Sequence, residues 1–227
     1  MKWLGYIGLM VSLGFCTQRV LAGIEVGGTR VIYDGTQKEA ELSVSNSDKT
    51  TPYLIQSWVE HFVGGSGERV PFLVTPPLFR LDAQQENMLR VVRVGGLLPE
   101  DRESVFYMNI KSIPATQEST TNQLQIAVKT QIKLFYRPAA LKQLNAGEAY
   151  KQLTFSRRGG QLRVSNPTPF HVSFYSVKVG DAVIDQPTMV APLSTQEWSL
   201  PASAGQVVTW QAITDFGGIS PSVQGAL

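Results

Sequence analysis

The chain has 227 residues, with 20 Lys and Arg against 18 Asp and Glu, 2 His and a single Cys. So even a balance excludes the electrostatic footprint of a protein that binds nucleic acid or an anionic membrane surface. One Cys and two His, the latter far apart in sequence as His61 and His171, are too few for a metal centre of the His/Cys type. Residues 1–22 begin with basic Lys2, run apolar from Trp3 to Phe15 and close on Val20-Leu21-Ala22, which predicts a signal peptide cleaved after Ala22. The apolar run falls short of the roughly 20 residues needed to span a bilayer, so no membrane insertion is expected. Phe15 is too bulky for the residue preceding a lipid-modified cysteine, so Cys16 is read as part of the discarded peptide. Lys2 and Arg19 leave with it, and the remaining 227 less 22, or 205, residues carry 18 basic and 18 acidic side chains and no cysteine. An exported chain of this kind must be held by packed cores rather than disulfides, and its length suffices for two small domains.

From Gly23 to Pro138 the pattern is that of strands: VIY at 31–33, ELSVSN at 41–46, PYLIQSWVEHF at 52–62, FLVTPPLFRL at 72–81, MLRVVRV at 88–94 and SVFYMNI at 104–110. Short strands at regular spacing, separated by Gly, Pro, Asn and Asp, predict an antiparallel sandwich. Trp58 is expected in the core of a middle strand. Gly64-Gly65-Ser66-Gly67 reads as a hairpin tip, because neither the Lys-Ser/Thr nor the helix of a phosphate loop follows it. Each His reads as a strand residue facing solvent or a neighbour. No nucleophile elbow is present, and Glu100 and Asp101 sit beside Arg102 in a polar turn, so no enzyme is predicted.

The stretch Asn122 to Arg137, NQLQIAVKTQIKLFYR, is long for a strand. Alternation puts Leu124, Ile126, Val128, Thr130, Ile132, Leu134 and Tyr136 on one face and Gln123, Gln125, Lys129, Gln131 and Lys133 on the other. If its first half lies at a sheet edge, it offers unpaired backbone and an apolar row, the two requirements for adding a strand from another protein. An interior strand of a sandwich satisfies the same periodicity. Pro138 ends it. Past Ala139 the strand pattern resumes in QLTFS, QLRVSN, FHVSFYSVKV, AVI, TQEWSL and VVTWQAITDF, so residues 23–138 and 139–227 are expected to form two sandwiches divided near Pro138 to Leu141. Apolar strands end in Ser-Asn in both halves, at Asn46 and Asn166, which predicts similar turns.

LPEDRESVFYMNIKSIP (98–114), LQIAVKTQIKLFYRPAAL (124–141), TRVIYDG, PYLIQSWVE, VTPPLFRL, RVSNPTPFHV and TDFGG together resemble the periplasmic chaperones of the chaperone-usher pilus pathway, in the family's order over nearly all of the chain past residue 22. The resemblance implies an all-β fold of two immunoglobulin-like sandwiches set as a boomerang around a cleft. It implies a non-enzymatic, cofactor-free function in the periplasm: binding, folding and capping pilus subunits by donor-strand complementation and delivering them to an outer-membrane usher. Arg30 and Lys133 match the pair that binds a subunit's C-terminal carboxylate, where charge-assisted hydrogen bonds of about 1.5–3 kcal/mol each replace lost hydration. Leu124, Ile126 and Val128 match the donor residues that fill the subunit's open groove, and exposed on the free chain they suggest a self-capping homodimer. Glu103, Arg137 and Asp215 match an interdomain ionic network. The chain lacks the C-terminal disulfide of many relatives, leaving its last strand the least defined. The connection from Pro114 to Leu124 is short, which is similar to the class serving rod-type pili. Strict alternation puts Lys133 and Val128 on opposite faces, so either the strand bulges or the cleft lies on the other side near the domain junction. An exported adhesin or carbohydrate-binding module of the same fold is the rival reading, predicting exposed aromatic loops and no dependence on Lys133. A hydrolase would need a strongly shifted carboxylate in a pocket.

Overall fold

The computed structural model describes residues 23–62, 69–116 and 124–227. The expected signal peptide with Cys16, the expected hairpin tip at Gly64–Gly67 and most of the connection before Leu124 lie outside the described residues.

Among the described residues the first half is a sandwich of nine strands. One sheet contains β1 (Ile24–Val26), β3 (Glu39–Asn46), β5 (Phe72–Thr75) and β7 (Glu86–Arg93), in the order β1-β3-β7-β5. The other contains β2 (Arg30–Asp34), β4 (Tyr53–His61), β6 (Leu78–Leu81), β8 (Ser104–Pro114) and β9 (Val128–Arg137), in the order β2-β9-β8-β4-β6. Alternation drives the packing: Leu42, Val44, Leu89 and Val91 from the first sheet meet Ile55, Met108, Ile110 and Leu134 from the second in one buried core. All pairings are antiparallel except β2 with β9, which run parallel.

FLVTPPLFRL, expected as one strand, is two. Neither Pro76 nor Pro77 can donate to a ladder, and the chain changes sheets there, β5 pairing β7 and β6 pairing β4. Ser57 pins the crossing, its amide donating to Pro77 O at 2.9 Å and its hydroxyl to Pro76 O at 2.9 Å. Trp58 is not a core residue. Ile55 and Ser57 take the buried positions of β4, and Trp58 lies half-buried on the opposite face, its ring 5.3 Å from Lys129 Nζ.

A second sandwich follows, with β10 (Thr154–Arg158), β11 (Gln161–Asn166) and β14 (Ser194–Ser199) in one sheet. The other sheet has the order β13-β12-β15-β16, from β12 (Phe174–Val179), β13 (Ala182–Val183), β15 (Val207–Ala212) and β16 (Val223–Ala226). Leu162, Val164, Val177, Val208 and Trp210 fill its separate core, and Leu141 and Tyr150, from two short 3-10 segments at Ala139–Leu141 and Ala146–Gln152, pack into it. The last strand is a regular one, β16 pairing β15 from Val207↔Ala226 to Trp210↔Val223.

The two Ser-Asn endings have one physical basis. Asn46, 2% exposed, donates through Nδ2 to the carbonyls of Thr51, Leu81 and Asp82 and accepts from Asp48 N. Asn166, 1% exposed, donates to Phe170 O and Ala191 O and accepts from the amide and hydroxyl of Thr168. Each side chain satisfies carbonyls of the adjoining loops, and Asn46 also that of Leu81 at the end of β6.

Candidate functional site

Arg30 opens β2 and is the register partner of Lys133 in β9. Val31 and Tyr33 take the core face of β2, as Leu134 and Tyr136 do in β9, so Arg30, Lys133 and Phe135 face away from that core. What they face is the second sandwich. Arg30 Nη1 donates to Ile213 O at 3.2 Å, its guanidinium carbon lies 5.8 Å from the Phe135 ring centroid, and Phe135 packs 5.5 Å from the ring of His171. The β8–β9 register runs without a shift from Ser104↔Tyr136 to Ser112↔Val128. No bulge therefore brings Lys133 and Val128 to one face: the cations occupy the side of the sheet turned to the domain junction.

Burial lowers the pKa of Arg30, with Asp215 acting in the opposite sense, and burial together with the Arg30 charge lowers that of Lys133. Among the described residues Lys133 has no hydrogen bond or ion pair, and Arg30 Nε is buried with no partner. Two half-buried cations side by side disfavour each other, and an anion placed between them would relieve both. Lys133 lines a cleft of ≈ 430 Å³ together with Tyr107, Ser173, Phe174, Met189 and Ile213, residues from both sandwiches.

β9 is shorter than the long strand expected from sequence. It begins at Val128, because Ser112, its partner, is the last residue of β8 that pairs with it. Leu124 to Ala127 make no ladder pairs, although Gln125 Nε2 donates to Pro114 O. Leu124, Ile126 and Val128 are 89%, 65% and 54% exposed, whereas Ile132, Leu134 and Tyr136, which continue the same alternation, are buried. On its far side β9 is paired with β2 only from Lys133 to Arg137, which leaves Val128–Ile132 an open edge among the described residues. Lys129 and Gln131, on the other face, bind Glu60 Oε1 at 3.3 and 2.7 Å.

Glu103, Arg137 and Asp215 come together. Arg137 Nε donates to Glu103 Oε1 at 2.8 Å, and its two terminal nitrogens reach Asp215 Oδ2 and Oδ1 at 2.9 and 3.2 Å. Burial pulls the Arg137 pKa down, but the hydrogen bonds and charges of Asp215 and Glu103 outweigh it and raise it. Sequence reasoning missed a fourth member. His171 is not in a strand; its amide donates to Glu103 Oε2 at 2.8 Å and its Nδ1 lies 3.3 Å from the same oxygen, with the ring 5% exposed. The only sequence signal was its place in RVSNPTPFHV, next to Phe170, whose ring lies 5.3 Å under the Arg137 guanidinium carbon.

Residues 23–142 match the family described as pili and flagellar-assembly chaperone, PapD N-terminal domain, and residues 148–224 that described as pili assembly chaperone PapD, C-terminal domain. The chain is 46% identical over 217 residues to the probable fimbrial chaperone LpfB of Escherichia coli O157:H7, covering 93% of this chain and 92% of that protein. It is 41% identical over 222 residues to the chaperone protein FimC of Escherichia coli K12, covering 96% and 90%. In structure it is similar to the Salmonella enterica SafA pilin in complex with the SafB chaperone, with a TM-score of 0.82 at 37% identity over 90% of this chain and 96% of that one. The Escherichia coli chaperone DraB gives a TM-score of 0.79 at 36% identity over 90% and 97%.

Proposed function

The chain belongs to the PapD family of pili assembly chaperones, and from that premise we propose that it binds, folds and caps pilus subunits in the periplasm and passes them to an outer-membrane usher. Capping proceeds by donor-strand complementation. The observation that carries this reading is the open edge of β9, with Leu124, Ile126 and Val128 exposed, running into a pair of half-buried cations that form no ion pair among the described residues. An incomplete subunit supplies what each part lacks. Its groove would bury the three side chains, a gain of roughly 1.5–3 kcal/mol for each, and its C-terminal carboxylate would sit between Arg30 and Lys133, fixing the register of the added strand. Glu103, Arg137, Asp215 and His171 would hold the two sandwiches at the angle that keeps the cleft open. No step uses a nucleotide or a bond-making group, so the protein is assigned a binding role rather than an enzymatic one.

The reading also divides the chain. We assign residues 1–22 to a signal peptide, 23–138 to an N-terminal domain carrying the donor strand and 139–227 to a C-terminal domain. In support, Pro138 ends β9 and Leu141 already belongs to the second core. The short connection before Leu124 supports the class that serves rod-type pili. Among the described residues no helix is long and apolar enough to cross a membrane. The test is to dilute a denatured pilus subunit out of urea, alone and with an equimolar amount of this protein. A soluble one-to-one complex is expected, with aggregation of the subunit alone; equal aggregation in both samples overturns the proposal.

A further inference from the structure

Ser173 lies just before β12 and is 5% exposed, yet its hydroxyl has no hydrogen-bond partner among the described residues. An unsatisfied buried hydroxyl costs stability, and Ser173 shares this condition with Arg30 Nε, so the two sandwiches bring an orphaned polar atom each to the junction. A short chain of contacts connects them. Ser173 O accepts from Ile213 N at 2.8 Å, and Ile213 O accepts from Arg30 Nη1 at 3.2 Å. Ser173 and Lys133 also line the same cleft of ≈ 430 Å³, and Ile213 stands between that cleft and the neighbouring cavity that Arg30 lines. The groups without partners are thus a guanidinium N–H, an ammonium and a hydroxyl, all able to donate to one acceptor-rich anion.

We propose that Ser173 is a third donor to the carboxylate held by Arg30 and Lys133, contributed by the second domain. This inference rests on the carboxylate-anchor reading and deepens it: the subunit's terminus would touch both domains rather than the first alone. The domain angle would then bear on affinity, because it sets the distance between Ser173 and Lys133. The hydroxyl also adds direction, since it donates a single hydrogen to a carboxylate oxygen where the ammonium of a mobile lysine can donate any of three.

The test uses the whole protein and a synthetic peptide of the C-terminal strand of a pilus subunit, prepared with a free carboxylate and as the C-terminal amide. Binding is measured for wild type, Ser173→Ala and Ser173→Thr. Wild type is expected to prefer the free acid. Ser173→Ala should lose about 10- to 150-fold in affinity for the acid, the range of one charge-assisted hydrogen bond, with little change for the amide, and Ser173→Thr should restore the preference. If Ser173→Ala keeps the wild-type preference, the third-donor assignment is wrong while the anchor reading stands. If wild type itself binds acid and amide equally, the anchor reading fails and Ser173 falls with it.

Discussion

Replacing Arg137 with Ala should destabilise the protein far more than replacing Asp215, although both break the same network. Arg137 is the bridge between a carboxylate that is 2% exposed, Glu103, and one that is 36% exposed, Asp215. Without Arg137, Glu103 keeps only the amide and ring of His171, and a buried carboxylate stripped of its cation costs about 3–5 kcal/mol. Without Asp215, Arg137 still holds Glu103 at 2.8 Å, and the lost partner is one that water reaches, worth about 1 kcal/mol or less. Urea unfolding at pH 7, followed by tryptophan fluorescence, reads both domains, since Trp58 lies in the first and Trp198 and Trp210 in the second. With a denaturant slope of about 2–3 kcal/mol/M, Arg137→Ala should lower the midpoint by about 1–2.5 M and Asp215→Ala by less than about 0.5 M. Arg137→Met combined with Glu103→Leu should recover part of the loss, because no buried charge is then stranded and Asp215 keeps its contact with water. Equal shifts for the two single variants, or a near-neutral Arg137→Ala, would refute the reasoning.

Ile126→Asp should leave the unfolding free energy of the free protein within about 0.5 kcal/mol of wild type and abolish subunit capture, whereas Leu134→Ala, at a fully buried position of β9, should cost about 2–5 kcal/mol. Asn166→Ala removes four hydrogen-bond contacts in a buried loop and should cost at least about 2 kcal/mol, read by thermal unfolding. Lys133→Met should raise the melting temperature while ending subunit binding, since burial and Arg30 both disfavour the ammonium. The sign follows from proton linkage: the folded pKa of Lys133 is below its unfolded value, so between the two the unfolded chain holds more protons and stability rises with pH. Lys133→Met should lose that rise. Sedimentation of the free protein should show a concentration-dependent dimer that Ile126→Asp dissolves, if the exposed row caps itself.

The β pattern was legible because period-2 alternation is a direct imprint of a one-sided core: Leu42 and Val44, or Ile132, Leu134 and Tyr136, face inward as spacing predicts. Alternation says nothing about where two neighbouring strands part, so the sequence extended the long strand to Asn122 while its pairing starts at Val128, although β8 itself runs on to Pro114. It also says nothing of which strands share a sheet, so the change of sheet at Pro76-Pro77 was read as continuity. Trp58 was misplaced because an aromatic ring covers an exposed sheet face as readily as it fills a core; its neighbours Ile55 and Ser57 set the phase. For the candidate site, Arg30, Lys133, Glu103, Arg137 and Asp215 were nameable through a family resemblance, and the structure supplies their juxtaposition. His171 and Ser173 carry no periodic signal. Their places depend on how the two sandwiches meet, a relation between residues far apart in sequence, 68 positions for His171 and Glu103.

The central claim is that the β9 edge captures a pilus subunit whose terminus is fixed at Lys133. The most direct measurement is periplasmic co-expression of a pilus subunit with wild type or Lys133→Ala, followed by recovery of the complex. Wild type should return a one-to-one complex, and Lys133→Ala, folded by circular dichroism, should return none. Equal recovery of the subunit by both proteins would contradict the account.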